Sequence, residues 1–408
     1  MGKQDKAEIK EIYEPAEDSY LALECIKNEI KKAKYNAKNL LALDMGTGTG
    51  ILAKEMSKKL KVIAADINKK AGQFIEKANK TAKKEKRNKI IFVKSSLFSR
   101  VKQKFDLIVF NAPYLPYSKR NSKTEKYDHS LHGGKNGYET IEKFISNLNS
   151  HLQDNGKALL VFSSLTNKSH IDLVLDKNLF EHRTLRKKHI FFEDIYVYEI
   201  KKTPLLRKIS KKAEQYSIKN LRYYASGHRG VIFKGTKGRQ SIAIKAKNPR
   251  SEATGNIKNE ALWLKRLNKY NIGPKLVFYD NMFFCYSFVY GKTIGEFIRE
   301  AEKKDIIIML KRLIKKLNTL DRLKINKEEM HRPVKHIIIS KNSPKMIDFE
   351  RCHYTEKPKN ITQFFQFLNS KKIKQMLDKK GIKIRITKKE LREYKKDYEI
   401  KRVMEKIK

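Results

Sequence analysis

Cysteine is scarce in this chain: three residues in 408 (Cys25, Cys285 and Cys352), far apart and with no CxxC pair. That spacing excludes a disulfide framework and a cysteine-based structural zinc site, and it fits a reducing cytoplasm. No stretch approaches the roughly 18 consecutive apolar residues of a membrane helix. The opening MGKQDKAEIK lacks the apolar core of a secretion signal. Lys6 stands where a myristoylation signal needs Ser or Thr. The ten histidines show no metal-ligand spacing. Negative charge is the largest deficit, with 45 Asp and Glu against 92 Lys and Arg and a net charge of +47. Residues 1–200 carry 38 basic against 25 acidic side chains, and the remainder 54 against 20. Such a field draws in polyanions, so contact with RNA or the ribosome through the basic C-terminal half is one expectation. The lysines are scattered without a long pure run, however, which equally describes ordinary solvated faces.

Apolar residues make up 40% of the chain, enough for two cores. The first half alternates strand-like and helix-like stretches. LLALD (40–44), KVIAAD (61–66), IIFV (90–93), FDLIVF (105–110) and KALLVFS (157–163) read as strands. Helical patterns follow Ile51 and run near 68–86 and 138–152, and EHRTLRKKHIFF with EDIYVYEI reads as a terminal strand pair. This alternation implies an α/β fold with a mostly parallel sheet and ligands at the strands' C-terminal ends. Charge jumps at KKTPLLRKISKK (201–212), and Pro204 interrupts. The predicted division is residues 1–203, residues 204–370, and a basic helical tail over 371–408.

Two motifs in the first half carry chemistry. DMGTGTG (Asp44 to Gly50) follows a strand and opens a helix, and its glycines let backbone approach a ligand without Cβ clashes. Asp66 ends the second strand, where a carboxylate can accept ribose hydroxyls. The third glycine of a pyrophosphate fingerprint would fall at Ile51, so a cofactor without pyrophosphate, S-adenosylmethionine, fits better than a dinucleotide. The fourth strand ends on NAPY. There the Asn111 side-chain carbonyl and the Ala112 backbone carbonyl can accept both hydrogens of a substrate NH2 group. Pro113 stiffens the turn, and Tyr114 offers a flat face to a planar amide or base.

YEPAEDSYLAL (13–23), DMGTGTG, Asp66 and NAPYLP together resemble the HemK-type protein-(glutamine-N5) methyltransferases, especially their short archaeal and eukaryotic branch, over about residues 10–200. The resemblance implies a Rossmann-like class I methyltransferase that methylates the GGQ glutamine of a peptide-chain release factor. It places Tyr13, Pro15 and Asp18 near the methyl donor, Asp44, Gly46, Gly48 and Gly50 around it, and Asp66 on its ribose. Asn111, Pro113 and Tyr114 would grip the glutamine amide. It also implies a small zinc-binding activator subunit. Three positions depart from the family pattern. NAPY replaces NPPY, Ser95-Ser96 stands where an Asp often meets adenine (leaving Ser96 as the hydrogen-bonding group), and His132 precedes Gly-Gly in place of an acid. The same loop resembles that of adenine amino-methyltransferases acting on RNA or DNA, which keeps an adenine-N6 substrate open.

The second half carries a different pattern. SGHRGVIFKG (226–235) reads as strand, glycine turn and strand, with Gly227 and Gly230 in the turn. SIAIK places Lys245 at a strand end, Glu260 follows in a helical stretch, and MIDFER places Asp348 after a short strand. A glycine loop over phosphates, a strand lysine, a helix glutamate and a magnesium-binding aspartate form a nucleotide clamp. This half resembles the RIO and KEOPS-complex atypical kinases, most closely a family of small archaeal predicted Ser/Thr kinases. The resemblance rests on KAKNPRSEA, LNKYNIGPKLV, HRPVKHIII, IDFERC and PKNITQF. It implies a two-lobed α+β kinase-like domain binding ATP with Mg2+. His331 would stand where such kinases carry the catalytic Asp, and His336 where they carry a metal-binding Asn, with Glu329 close by as a substitute. A pseudokinase, an ATPase or an RNA-docking module is the rival reading of this half.

Overall fold

In the computed structural model, the described residues are 12–32, 35, 39–117, 128, 130–227, 229–248 and 257–407. His228 and residues 249–253 of the KAKNPRSEA motif lie outside them. The chain divides into two compact units, residues 1–223 and 224–408.

The first unit is built on a seven-stranded sheet. Its elements in chain order are α1 (Glu17–Ile30), β1 (Leu41–Met45), α2 (Ile51–Met56), β2 (Lys61–Asp66), α3 (Lys70–Thr81), β3 (Ile90–Lys94) and β4 (Phe105–Asn111). A short pair, β5 (Leu115–Pro116) and β6 (His132–Gly134), precedes α4 (Glu139–His151), β7 (Leu152–Ser163), α5 (Lys168–Lys177), β8 (Phe180–Ile190) and β9 (Glu193–Lys202). Strand order is β3-β2-β1-β4-β7-β9-β8. The first five strands run parallel, and β9 and β8 close the sheet antiparallel. The parallel strands are near-continuous runs of Val, Ile, Leu and Ala because helices cover both faces. Leu107 and Val109 of β4 join Ala22, Ile26, Leu52 and Ile75 in one core cluster. Phe110 points the other way and packs on Phe144 of α4, ring centroids 4.9 Å apart. α6 (Pro204–Gln215) follows Thr203, whose Oγ1 accepts from the Leu206 amide. It belongs with this unit, since Ser210 Oγ hydrogen-bonds Asn149 of α4 at 2.9 Å. The unit's reach is therefore longer than the expected residues 1–203.

The chain passes to the second unit within β10 (Lys219–Ser226), followed by β11 (Gly230–Lys237), β12 (Gln240–Lys247), α7 (Ile257–Asn268), β13 (Leu276–Tyr279) and β14 (Phe283–Ser287). These strands form one sheet in the order β10-β11-β12-β14-β13. The rest is mainly helical: β15 (Lys292–Thr293), α8 (Ile294–Glu300), α9 (Lys303–Arg322), β16 (Ile325–Lys327), β17 (Ile337–Ser340), β18 (Ser343–Met346) and β19 (Cys352–Tyr354), then α10 (Asn360–Leu368), α11 (Lys371–Lys379), α12 (Lys388–Asp397) and α13 (Lys401–Met404). The basic C-terminal stretch is part of the core. Ile373, Leu377, Ile382, Tyr394, Val403 and Ile407 are buried in the same cluster as the α9 side chains. Tyr394 also donates to Asp321 of α9 at 2.8 Å. All three cysteines are buried and unpaired, and no helix among the described residues is long and apolar enough to cross a membrane.

Candidate functional sites

The glycine loop after β1 is folded back on β2. Gly46 N and Thr47 N donate to Ala65 O, and Gly46, Gly48 and Gly50 all have positive φ. At Gly50 a side chain is excluded twice, by φ +80° and by a Cβ that would lie 2.7 Å from Ile75 Cδ1. Asp44 lies behind this loop. It is buried and accepts from Thr47 Oγ1 at 2.6 Å and from the Ala53 amide at 3.0 Å, so it ties the loop to the first turn of α2. Burial pushes its pKa up to about 7. Asp66 closes the far side, accepting from Gly48 N at 2.9 Å and Asn68 N at 2.8 Å.

In front of the loop lies a cavity of about 330 Å³ at the C-terminal edge of the sheet. Tyr13, Pro15, Gly46, Gly48, Asp66 and Ser96 line it, and Asn111 and Pro113 face it from the end of β4. Asp44, Gly50, Asp18 and Tyr114 do not line it; they support residues that do. Asp18, at the start of α1, is the hub. Its carboxylate accepts from the hydroxyls of Tyr13 at 3.1 Å and Tyr114 at 3.4 Å, and from Asn111 Nδ2 at 3.1 Å. Burial and the Asp18 charge raise the pKa of both tyrosines, so both stay protonated donors. Asn111 Nδ2 also contacts Ser19 Oγ at 3.2 Å. The Asn111 amide is thereby fixed in orientation, because a carboxylate can only accept. Its Oδ1 is buried with no hydrogen-bond partner.

Two contributors here were not singled out in the sequence. Ser19 follows Asp18 directly and could have been read with it. Gly133 lets the β6 segment press on the NAPY turn: a Cβ there would lie 2.4 Å from Pro113 O and 2.0 Å from Gly137 O. The HGGKNG run was its signal. His132 of the same run lines the cavity.

In the second unit, Lys245 of β12 meets Glu260 of α7 at 2.6 Å and Asp348 at 3.3 Å. Burial opposes the lysine charge, but Glu260 and Asp348 outweigh it and its pKa is raised. Gly227, Gly230, Lys245, Glu260, His336 and Asp348 share a cavity of about 540 Å³ with apolar walls that include Ile232, Leu264 and Phe284. Carboxylate oxygens of Glu260, Asp348 and Glu350 lie within 4.8 Å of one another. Lys327 is buried beneath, its Nζ donating to the Asp348 carbonyl. His336 Nε2 lies 3.0 Å from Glu329 Oε2, while its Nδ1, 3.5 Å from Asp348 Oδ2, is buried without a hydrogen-bond partner. Burial, reinforced by Lys327, lowers the His336 pKa, so the ring is neutral near pH 7. His331, in contrast, is exposed and is not among the residues around this cavity; Glu329 is, held at φ +74°.

A family model described as the methyltransferase small domain matches residues 17–193. A Methanocaldococcus jannaschii protein named "putative protein N5-glutamine methyltransferase" is 39% identical over 158 residues, spanning 38% of this chain and 74% of that protein. The catalytic subunit of the Schizosaccharomyces pombe eRF1 methyltransferase is 25% identical over 197 residues, 44% of this chain and 85% of that one. Among solved structures, an E. cuniculi Mtq2–Trm112 complex responsible for methylating eRF1 is similar at 23% identity and a TM-score of 0.36. The match covers 47% of this chain and 99% of that one.

Proposed function

This chain belongs, through its N-terminal unit, to the protein N5-glutamine methyltransferase family, and from that premise we propose that it methylates the side-chain nitrogen of a glutamine in a peptide-chain release factor. The unit has the class I methyltransferase fold, with a mostly parallel sheet. The release factor as substrate is supported by the relative named for eRF1 methylation. That relative is a catalytic subunit, which favours a small activator partner here as well.

The observation that carries the reading is the Asn111 amide. Asp18 and Ser19 occupy its Nδ2, leaving Oδ1 as a buried acceptor at the cavity. A glutamine side chain entering from the mouth offers two N–H donors to such an acceptor and to the adjacent backbone. The donor cavity fits S-adenosylmethionine: glycines without Cβ at 46 and 48, a terminal strand carboxylate at Asp66, and Ser96. When bound, that cofactor supplies an electrophilic methyl group. The chain's own part is orientation. Asn111 holds the NH2 hydrogens so that the nitrogen lone pair is aimed, Pro113 keeps the turn stiff, and Tyr114 braces Asp18 through its hydroxyl. Correct positioning supplies up to roughly 7–11 kcal/mol of a barrier without a strong base. Asn111→Ala is expected to lose methyl transfer from labelled donor while retaining donor affinity; full residual activity overturns the assignment. Offering bulk RNA in parallel tests the adenine-N6 alternative, since adenine carries the same planar NH2.

For the second unit we propose a nucleotide site binding ATP with a divalent cation. The charged Lys245, locked between Glu260 and Asp348, is what a triphosphate needs, and the carboxylates around Asp348 offer oxygen ligands to Mg2+. Ser/Thr phosphorylation is the corresponding activity, with Glu329 as a further carboxylate at the cavity, from which His331 is absent. An ATPase or an ATP-gated docking module without transfer is separated from it by a phosphorylation assay. Lys245→Ala should weaken ATP binding at least about tenfold in calorimetry. No heat with either ATP or GTP removes the proposal.

A further inference from the structure

The strand register puts the turn between β8 and β9 beside the catalytic edge of the first unit's sheet. Asn111 pairs with Val161 across β4 and β7, and two residues further on Ser163 pairs with Ile195 of β9. Phe191 and Phe192 form the two-residue turn between Ile190 and Glu193, so they project beyond that same C-terminal edge. Three contacts fix the turn there. Lys188 pairs with Glu17, the residue before Asp18, at 3.1 Å; Asp194 N donates to Ser164 Oγ at 3.0 Å; and Lys187 pairs with Asp194 at 2.9 Å. The Glu193 carboxylate helps to raise the pKa of Tyr13 and Tyr114, which places it within electrostatic reach of the Asn111 cluster.

Nothing in the fold calls for phenylalanine at these positions. Phe191 and Phe192 are 88% and 97% exposed, far beyond any other large apolar side chain among the described residues. Phe191 also sits at φ +50°, where a bulky side chain is strained and Gly or Asn is the ordinary choice. Strain of this kind accompanies functional sites. Leu165, half-exposed, directly follows Ser164, whose Oγ holds Asp194 of the turn's base. Glu193 Oε2 is buried without a hydrogen-bond partner at the base of the turn.

We propose that the Phe191–Phe192 turn is a docking finger that inserts into an apolar pocket of the protein substrate carrying the methylated glutamine. The inference rests on the methyltransferase reading above and extends it to how the macromolecule is gripped. A protein is the occupant favoured over a nucleic acid because most neighbouring cations are already paired internally: Lys187 with Asp194, Lys188 with Glu17, and Arg183 with Glu199, leaving Arg186 as the exposed exception. Phosphates would need those cations free, whereas two adjacent exposed rings suit an apolar pocket.

The test is the F191S/F192S double variant of the full chain, assayed on an intact release factor and on a short peptide spanning the same glutamine. KM for the intact protein should rise at least about tenfold at unchanged kcat, as loss of paired aromatic anchors does. Kinetics on the peptide should not change, and F191L/F192L should recover most of the loss. In an Asn111→Ala background, Kd for the intact protein should rise by the same factor, which reads the finger without turnover. Unchanged Kd and KM for the intact protein, an equal loss on peptide and protein, or a loss confined to RNA each overturns the finger. Absence of methyl transfer to either substrate by the parent chain overturns the methyltransferase reading itself.

Discussion

At the scale of single residues, the decisive event is that one carboxylate decides how an amide faces. Without Asp18, the Asn111 side chain could turn its NH2 towards the substrate and repel the hydrogens it should accept. Asp18→Ala is therefore expected to lower kcat for methyl transfer by about one to two orders of magnitude, an effect of misplacement, with donor affinity measured by calorimetry little changed. Asp44 yields a prediction in pH. Its folded pKa is raised to about 7 from an ordinary 3.8 by burial, so the native state binds the proton that the unfolded chain has already lost. That contribution is fully present below pH 3.8 and disappears as pH rises through 7. Asp44→Asn removes the dependence, so the variant's Tm relative to the parent should climb between pH 4 and 7. A constant difference in Tm would mean that Asp44 is ionised throughout. The residue types at this site were readable: the glycines, Asp66 and NAPY sit in short local motifs. The partnership of Asp18 with Asn111 was not, because it joins positions 93 apart, and no local pattern encodes such a pairing.

At the scale of elements, the parallel strands declared themselves because burial on both faces demands unbroken apolar runs. α5 was not singled out. It is a short helix that buries only Ile171 and Leu175, and it starts from Asn167 at φ +57°, so its apolar stripe is too brief to stand out. The C-terminal stretch reads as a basic helical tail because lysines dominate its composition, while its sparse Ile, Leu, Val and Tyr at helical spacing are what the core uses. The β5–β6 pair shows how an element can matter through what it lacks. Gly133→Ala would force a methyl to within 2.0 Å of a carbonyl oxygen, a clash costing at least about 1–3 kcal/mol. Expected together are a lower Tm and a sharp drop in kcat, since the Pro113 carbonyl would have to move and the Asn111 turn with it. A variant with normal Tm and normal turnover would show that the β6 segment does not support the NAPY turn.

At the scale of the whole molecule, two clefts of different chemistry share one chain. The cavity of the first unit is lined largely by glycine loop backbone with one carboxylate, Asp66, whereas that of the second unit gathers Lys245, Glu260, Asp348 and Glu350. Disabling one should leave ligand binding at the other in place: Lys245→Ala is expected to keep full affinity for S-adenosylmethionine. The neutral His336 also makes a prediction about the cation. An imidazole nitrogen suits Mn2+ better than Mg2+, so ATP binding should be tighter with Mn2+, and His336→Asn should narrow the gap. Equal affinities with both metals in the parent would mean that His336 does not ligate the cation. The excess positive charge, legible in composition from the start, belongs to this scale too. RNA affinity, if it is electrostatic, should fall steeply as salt is raised from 50 to 200 mM.

The three buried cysteines have a practical consequence. Burial raises their pKa to about 11 at Cys25 and about 12 at Cys285 and Cys352, so the reactive thiolate is suppressed throughout the native chain. The protein is thus a silent background for maleimide chemistry. A Phe192→Cys variant would carry its only quick-reacting sulfur at the turn tip, ready for a fluorophore that reports substrate arrival in real time.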